Sequence, residues 1–332
     1  MHMGDESQFE RSGPPQFAEI PWSTPAWVLV RRGLRPRERW YNSLPFHIAL
    51  FLLTVLTTLI VGAHIALNYA QKIPVFDWDA FIPYFRELWR HPKMLLLGVP
   101  FSSTLLAILL AHELGHYITC RHYQIHATYP YFIPAPTLIG TLGAFIRIKS
   151  PIVNRRELFD VGISGPVAGF VLAVPALILA AFLTHGALPP SLPDSITLGK
   201  PLAVILLCRI FRGGINPAAI IFHPVGCAAW VGLFATALNL LPVGQLDGGH
   251  ILYAVLGDRY RRVSRGFFLV LLPLGYFWYG WFAWAVILFF LGLRHPRVIE
   301  PVEPLGRKRM ILALVGALIL VLTFLPAPFK MQ

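Results

Sequence analysis

The sequence predicts an all-α polytopic membrane protein with about six to seven transmembrane helices and a small β-hairpin. Hydrophobic residues make up 56% of the 332-residue chain and charged residues only 13%. An ordinary soluble domain carries roughly twice that charged share, about 25%. Several apolar runs also reach the ~17–25 residues that a helix needs to cross a bilayer. The composition therefore excludes an ordinary soluble domain and indicates a lipid bilayer as the surroundings.

The net charge of +12 is not spread over the chain, because the lysines and arginines are confined to short segments between apolar runs. This distribution is typical of loops that anchor a protein at the inner leaflet of a membrane, and it argues against nucleic acid as a partner. The three cysteines are widely spaced and lie in or beside apolar runs, so they predict membrane packing and no disulfide framework: Cys120, Cys208 and Cys227.

The order of charged and apolar segments predicts the path of the chain. Residues 1–45 are polar, end in an arginine cluster and contain no early apolar core of a signal peptide, so we expect a cytosolic tail before a membrane domain at 46–332. Because basic loops stay inside, successive spans should alternate in direction. The first four predicted spans are 46–69, 94–118, 159–183 and 218–241.

The later part of the membrane domain is less regular. Residues 266–293 lie between basic clusters and contain proline and glycine near their middle, which favours a tight hairpin of two short helices over a single span. Residues 310–326 form the last predicted span. The apolar run 201–211 is too short to cross, so we expect it at the interface or packed re-entrantly.

The sharpest motif is His112-Glu113-Leu114-Gly115-His116, an H-E-x-x-H inside an apolar helix. Histidines at i and i+4 project from one helical face and can share a Zn²⁺, while the glutamate beside them can accept a proton from a bound water. Ionisable side chains in an apolar span are costly, so a chance occurrence is disfavoured. The motif predicts a metal site with a base.

A catalytic zinc needs a third protein ligand, and Asp247 is the best candidate. It lies in the segment Asn239-Leu-Leu-Pro-Val-Gly-Gln-Leu-Asp-Gly-Gly-His250, where the fourth span reaches the same side of the membrane as His112 and His116. Proline and glycine break the helix there, as expected of irregular backbone that lines a polar site. A simple turn with a capping aspartate is the alternative.

HELGH followed by NLLPVGQLDGGH resembles the site-2 protease family of intramembrane zinc metalloproteases, in the branch without a PDZ domain. The likeness covers about 94–250 and includes the glycine-rich stretches 140–148 and 162–169. The resemblance implies one zinc ion per chain, held by His112, His116 and Asp247. It also implies that Glu113 is the general base, and that Asn239 holds substrate or stabilises an oxyanion.

The segment 129–149 contains three prolines and then strand-like residues with charges at alternate positions, which predicts a β-hairpin near the active site. A protease that cuts a membrane helix must first unwind it, and an exposed strand edge can hold the unwound segment by main-chain hydrogen bonds. A hairpin that only plugs the helix bundle is an equal alternative.

Other histidines leave alternatives open. His122 and His126 form a second H-x-x-x-H that is typical of membrane di-iron lipid desaturases or hydroxylases, although those sites need about eight clustered histidines and this chain has 12, mostly scattered. His250 is equally consistent with a group that orients Asp247 and with a plain interfacial histidine. A non-proteolytic scaffold would require a degenerate metal motif, and this one is complete.

The sequence thus predicts an intramembrane zinc endopeptidase that hydrolyses a peptide bond in or near a transmembrane segment of another protein. Its partners should be that substrate and the lipid bilayer, while the sequence does not specify an oligomeric state. We expect a multi-pass protein of a bacterial inner membrane, with its active site toward the cytosolic side, where water reaches it most easily.

Overall fold

The computed structural model describes residues 40–73, 75, 81–184, 196–211, 213, 215–292, 298 and 304–331. Most of the predicted tail at 1–45 and most of the predicted loop at 185–200 lie outside the described residues. Within the described ranges the chain forms the following α-helices: α1 Leu44–Gln71, α2 Phe81–Arg90, α3 Val99–His122, α4 Arg155–Leu183, α5 Leu202–Phe211, α6 Pro217–Phe222, α7 Pro224–Leu240, α8 Asp247–Leu256, α9 Tyr260–Leu274, α10 Gly280–Leu291 and α11 Arg307–Thr323.

Three helical stretches in the described part of the chain are long and apolar enough to cross a membrane: Leu44–Gln71, Pro92–His122 and Arg155–Leu183. They correspond to the first three predicted spans. Shorter apolar helices lie at Leu202–Phe211, Pro224–Leu240 and Gly280–Phe290. The membrane character of the chain is therefore supported by helix length and composition, and the total of six to seven spans stays a prediction.

The fourth predicted span is wrong as a single helix, because the chain breaks at His223. Pro224 has no N–H to donate and disfavours helical backbone at the residue before it, and His223 is extended with φ −65° and ψ 138°. The His223 ring accepts a hydrogen bond from the main-chain N–H of Val225 and so caps α7. The 17 residues of α7 span about 25 Å, less than the ~30 Å hydrocarbon core of a bilayer.

The predicted hairpin at 266–293 is present as the helix pair α9 and α10, which are separated by turn residues 275–279. The run 201–211 is the ten-residue helix α5. Its Ala203, Val204 and Cys208 are buried against the main core, in agreement with a segment that packs on the bundle without crossing.

The core of the molecule forms where α3 packs against α1, α4 and α7. Small residues permit this close packing, as is usual where helices meet in a membrane. A Cβ atom on Gly232 of α7 would lie 2.7 Å from Ile108 of α3, and one on Gly115 of α3 would lie 2.5 Å from the main-chain oxygen of Ser164 in α4. The same contacts bring the H-E-x-x-H helix against the two helices that flank the site.

Two small antiparallel sheets complete the described fold. Strands β1 Tyr131–Pro134 and β2 Thr141–Phe145 form the predicted hairpin, in which Tyr131 is opposite Phe145. The second sheet joins β3 Ile196–Leu198 to β4 Phe329–Met331 near the C-terminus. This second pair was not predicted, because strands of three residues carry too little periodicity to be recognised in a sequence.

Candidate metal centre

The H-E-x-x-H motif lies within α3, which continues to His122 and so passes the predicted end of this span at 118. His116 is therefore about 9 Å from the last residue of the helix, deeper than the sequence indicated. His112, Glu113 and His116 are buried, with exposed fractions of 5%, 5% and 6%. Three polar side chains in the interior of an apolar bundle need partners that the same helix cannot supply.

Asp247 supplies a carboxylate to both histidines. Helix α7 ends at Leu240, the irregular residues 241–246 turn the chain, and Asp247 begins α8. Its Oδ2 atom lies 3.2 Å from His112 Nε2 and 3.3 Å from His116 Nε2, and the two histidine nitrogens are 3.2 Å apart. The fold thus joins residues 135 positions apart in the chain into one cluster.

The size of this triangle fits a metal ion. Zinc bonds of ~2.0–2.1 Å in tetrahedral geometry place neighbouring ligand atoms about 3.3 Å apart. The three measured separations lie between 3.2 and 3.3 Å. Among the described residues, His112, His116 and Asp247 form the group whose ligand atoms could hold a metal ion. A zinc ion held by these three side chains would keep one further position for a water molecule.

Hydrogen bonds around the triangle orient one histidine. His116 Nδ1 lies 2.7 Å from the main-chain oxygen of Val161 in α4. A carbonyl oxygen can only accept, so Nδ1 carries the proton and Nε2 keeps its lone pair for a metal. The sequence does not reveal Val161 as a partner, because a main-chain carbonyl has no residue-type signal.

Asn239 lies in the last turn of α7 and faces the cluster of His112, His116 and Asp247. Its Nδ2 atom is 3.2 Å from His112 Nε2. The sequence placed this residue near the site on the strength of a resemblance, and the fold brings its side chain into the cluster. A neutral amide can donate a hydrogen bond there without adding a charge inside the membrane.

Glu113 lies between the metal-binding cluster and the β-hairpin. The main-chain N–H of Ile146, the residue that follows β2, donates a hydrogen bond to its carboxylate. The end of the hairpin strand is therefore in direct contact with the residue predicted to be the base.

Comparisons with known proteins give the family. Residues 100–278, more than half of the chain, match the model of the peptidase family M50. The chain belongs to peptidase family M50. No solved structure matches it significantly.

Two plant proteins illustrate the similarity of this M50 chain to known relatives. The "Probable zinc metalloprotease EGY1, chloroplastic" of Arabidopsis thaliana is 32% identical over 218 residues, which cover 61% of this chain and 39% of that protein. The "Probable zinc metalloprotease EGY2, chloroplastic" of the same plant is 28% identical over 317 residues, covering 92% and 52%. The chain thus spans about two fifths to one half of the length of these relatives.

A face of small residues on α4 adjoins the M50 site. Gly162, Gly165 and Gly169 follow the spacing i, i+3, i+7 and lie on one side of the helix. A Cβ atom on Gly165 would overlap the His116 ring, and one on Gly169 would lie 3.3 Å from His112. In the sequence, the stretch 162–169 contributed only to the family resemblance. Gly165 and Gly169 make room for the His116 and His112 side chains, whereas Gly162 faces α8. The helical spacing of these glycines is the signal that could have revealed this.

His122, His126 and His250 do not join the cluster. His126 uses its main-chain N–H and carbonyl to bind Ser150 and Lys149, which joins the segment after α3 to the end of the hairpin. His122 is the last residue of α3 and is exposed. His250 packs against α4, where a Cβ atom on Gly162 would lie 3.0 Å from its own Cβ. The metal-binding group of two histidines and one carboxylate in the described chain disfavours a histidine-box di-iron site.

Proposed function

We propose that this M50 chain is an intramembrane zinc endopeptidase that cuts a peptide bond in or near a transmembrane segment of another membrane protein. One observation carries the proposal: two buried histidines and a buried glutamate on a helix apolar enough to span a bilayer, with the partly buried Asp247 carboxylate against both histidines. Ionisable groups clustered inside an apolar bundle have no structural necessity and indicate function.

We assign the chemical roles as follows. His112, His116 and Asp247 would hold a Zn²⁺ ion, which would supply Lewis-acid chemistry by lowering the pKa of a water toward about 7 and polarising the scissile carbonyl. Glu113 takes a proton from the attacking water, whose oxygen bonds to the carbonyl carbon, and delivers that proton to the amide nitrogen as the C–N bond breaks. Val161 holds the His116 ring by its Nδ1 proton. Asn239 donates a hydrogen bond to the carbonyl oxygen as negative charge develops there.

The hairpin is the proposed docking site for an unwound substrate. Among the described residues, β2 pairs with β1 in a two-stranded sheet, so its other edge has no strand partner there. The side chains of Leu142 and Phe145 are 68% and 46% exposed, and a Cβ atom on Gly143 would contact nothing within 4 Å. Because the Ile146 N–H is bonded to Glu113, a segment paired along this edge would run past the base.

The main-chain groups that face this open edge follow from strand alternation. Arg147 donates its N–H to the Thr128 hydroxyl, on the side of the neighbouring segment, whereas the N–H of Ile146 points the opposite way toward Glu113. Successive residues of a strand alternate in this direction, so Ala144 presents its N–H on the same edge as Ile146. Removal of the Ala144 main-chain N–H therefore tests whether a substrate segment docks on this edge.

Cleavage should depend on the helix stability of the substrate. Relative to Ala, Gly and Pro destabilise a helix interior by about 1 and 3 kcal/mol, so a membrane substrate with Gly-Pro near the cut site should be cleaved faster than one with Ala-Gly, and that one faster than Ala-Ala. The measurement is the cleavage rate of these three substrates by the purified protein in lipid vesicles. Equal rates would contradict a requirement for unwinding.

The same assay tests docking on the hairpin. Ala144→Pro removes one main-chain donor and should slow cleavage of every substrate while zinc stays bound. Ala144→Val is the matched control, because it keeps the N–H and suits a strand. Similar rates for the proline variant, the valine variant and the unaltered protein would contradict docking on β2.

Contacts between loops support the proposed topology. At one end of the bundle, polar contacts join segments that the charge pattern predicts to be inside: Arg309 with Asp160, Arg155 with Ala254, and Tyr131 with Asn42. At the other end, contacts join segments that are predicted to be outside: β3 with β4, and Trp281 with Pro326.

We therefore expect reporters fused after about residues 125 and 260 to face the same compartment, the cytosol of the proposed bacterial host, and one fused near 190 to face the opposite side. The reporter's activity in intact cells is the measurement, and a fusion at the C-terminus, predicted to be outside, is the control. Opposite readings at 125 and 260 would contradict a single shared site.

A further inference from the structure

The turn that carries Asp247 is held by side chains of α9. At Gly244, which has a left-handed φ of 59°, both main-chain polar groups are bound. Its N–H donates to the Ser264 hydroxyl at 3.4 Å, and its carbonyl accepts from the Tyr260 hydroxyl at 3.0 Å. One glycine thus makes two hydrogen bonds, one as donor and one as acceptor, with residues one helical turn apart.

The two contacts complement each other, because each uses a different main-chain group of Gly244. Tyr260 donates to the Gly244 carbonyl, while Ser264 accepts from the Gly244 N–H. Both side chains are 1% exposed, so water does not substitute for either hydroxyl.

The surroundings explain why a turn in this place needs such partners. Its neighbours Leu241 and Val243 are 3% and 0% exposed, and they pack in an apolar cluster with Leu271 and Trp281. Main-chain groups outside a helix must find partners within the protein when lipid or apolar side chains surround them.

The turn couples the position of Gly244 to that of Asp247. The two are three residues apart, and the N–H of Leu246 donates to the Val243 carbonyl across the turn. Helix α8 also rests on this glycine, because a Cβ atom on Gly249 would overlap the Gly244 carbonyl oxygen. A shift of Gly244 would therefore move the first turn of α8, which presents the Asp247 carboxylate to His112 and His116.

We propose that Tyr260 and Ser264 are positioning residues that hold Asp247 against the two histidines through Gly244, and so set the affinity of the site for zinc. This inference rests on the proposed function as a zinc peptidase. Neither side chain touches the metal-binding atoms. Groups that orient a ligand from outside the metal's coordination sphere typically change affinity by about 10–100-fold when removed.

The test compares zinc affinity in full-length protein, measured by competition with a chelator of known affinity. The combined variant Tyr260→Phe/Ser264→Ala removes both hydroxyls and keeps the buried ring, and it should bind zinc about 10–100-fold more weakly. Its cleavage rate should fall at limiting free zinc and recover at saturating zinc, with an unchanged KM. A general loss of structure would not recover on addition of metal.

The matched control is Tyr276→Phe/Ser103→Ala, which removes the same two hydroxyls at exposed positions and should keep the original affinity. If the combined variant does not fold, Tyr260→Phe and Ser264→Ala are tested singly and should each weaken zinc binding. Folded variants with unchanged zinc affinity overturn this inference. Unaltered protein that binds no zinc overturns the proposed function instead.

Discussion

Replacement of Glu113 by glutamine is expected to abolish most peptide-bond cleavage while the fold and the metal site survive. Glutamine has nearly the same shape, but its amide cannot accept a proton from water at neutral pH. General base catalysis contributes about 10²–10⁴-fold, so the rate should fall by that factor. The measurement is the cleavage rate of a model membrane substrate, together with zinc content and thermal unfolding of the same preparation.

The control for this variant is Glu87→Gln, which makes the same change on an exposed side chain of α2 that pairs with His91. That protein should cleave at the original rate. A Glu113→Gln protein that cleaves within a few fold of the unaltered protein would remove Glu113 from the role of base. Loss of zinc in the variant would instead point to a structural role for the carboxylate.

The second large effect is expected for the metal ligands. Purified protein should contain about one zinc per chain, and His116→Ala or Asp247→Ala should lower its affinity by more than the 10–100-fold typical of outer groups. Removal of one of three ligands leaves too few donors, and in Asp247→Ala it also removes the negative charge that both histidines face. Metal analysis after dialysis against a chelator measures the loss.

Matched controls are available for both substitutions. His91→Ala removes an exposed histidine of the 3₁₀-helical approach to α3, and Asp258→Ala removes an exposed carboxylate just after α8. Both proteins should keep their zinc. Stoichiometric, tightly bound zinc in Asp247→Ala would exclude that residue as a ligand, and iron in place of zinc in the unaltered protein would revive the di-iron alternative.

Much of the architecture was predictable because apolar length is a local property. The first three spans agree with long helices, the hairpin of short helices at 266–293 is present, and β1 and β2 form where prolines precede strand-like residues. The failure at 218–241 has a definite cause. The run 218–241 is apolar almost throughout, so hydropathy alone predicts one continuous helix. Pro224 has no N–H to donate, and one helix therefore ends before it and another begins at it.

The sequence by itself determined the membrane class, the residue types of a zinc site and the aspartate most suited to complete it, since composition, the i, i+4 spacing and a helix break are all written in neighbouring residues. Only the tertiary structure decided that these groups meet at 3.2–3.3 Å, that glycines of α4 accommodate the histidine rings, and that Tyr260 and Ser264 hold the turn before Asp247. Periodicity in the sequence specifies which face of a helix or strand carries the apolar or functional residues. Distances between elements result from the packing of side chains far apart in the chain, and no local pattern records them.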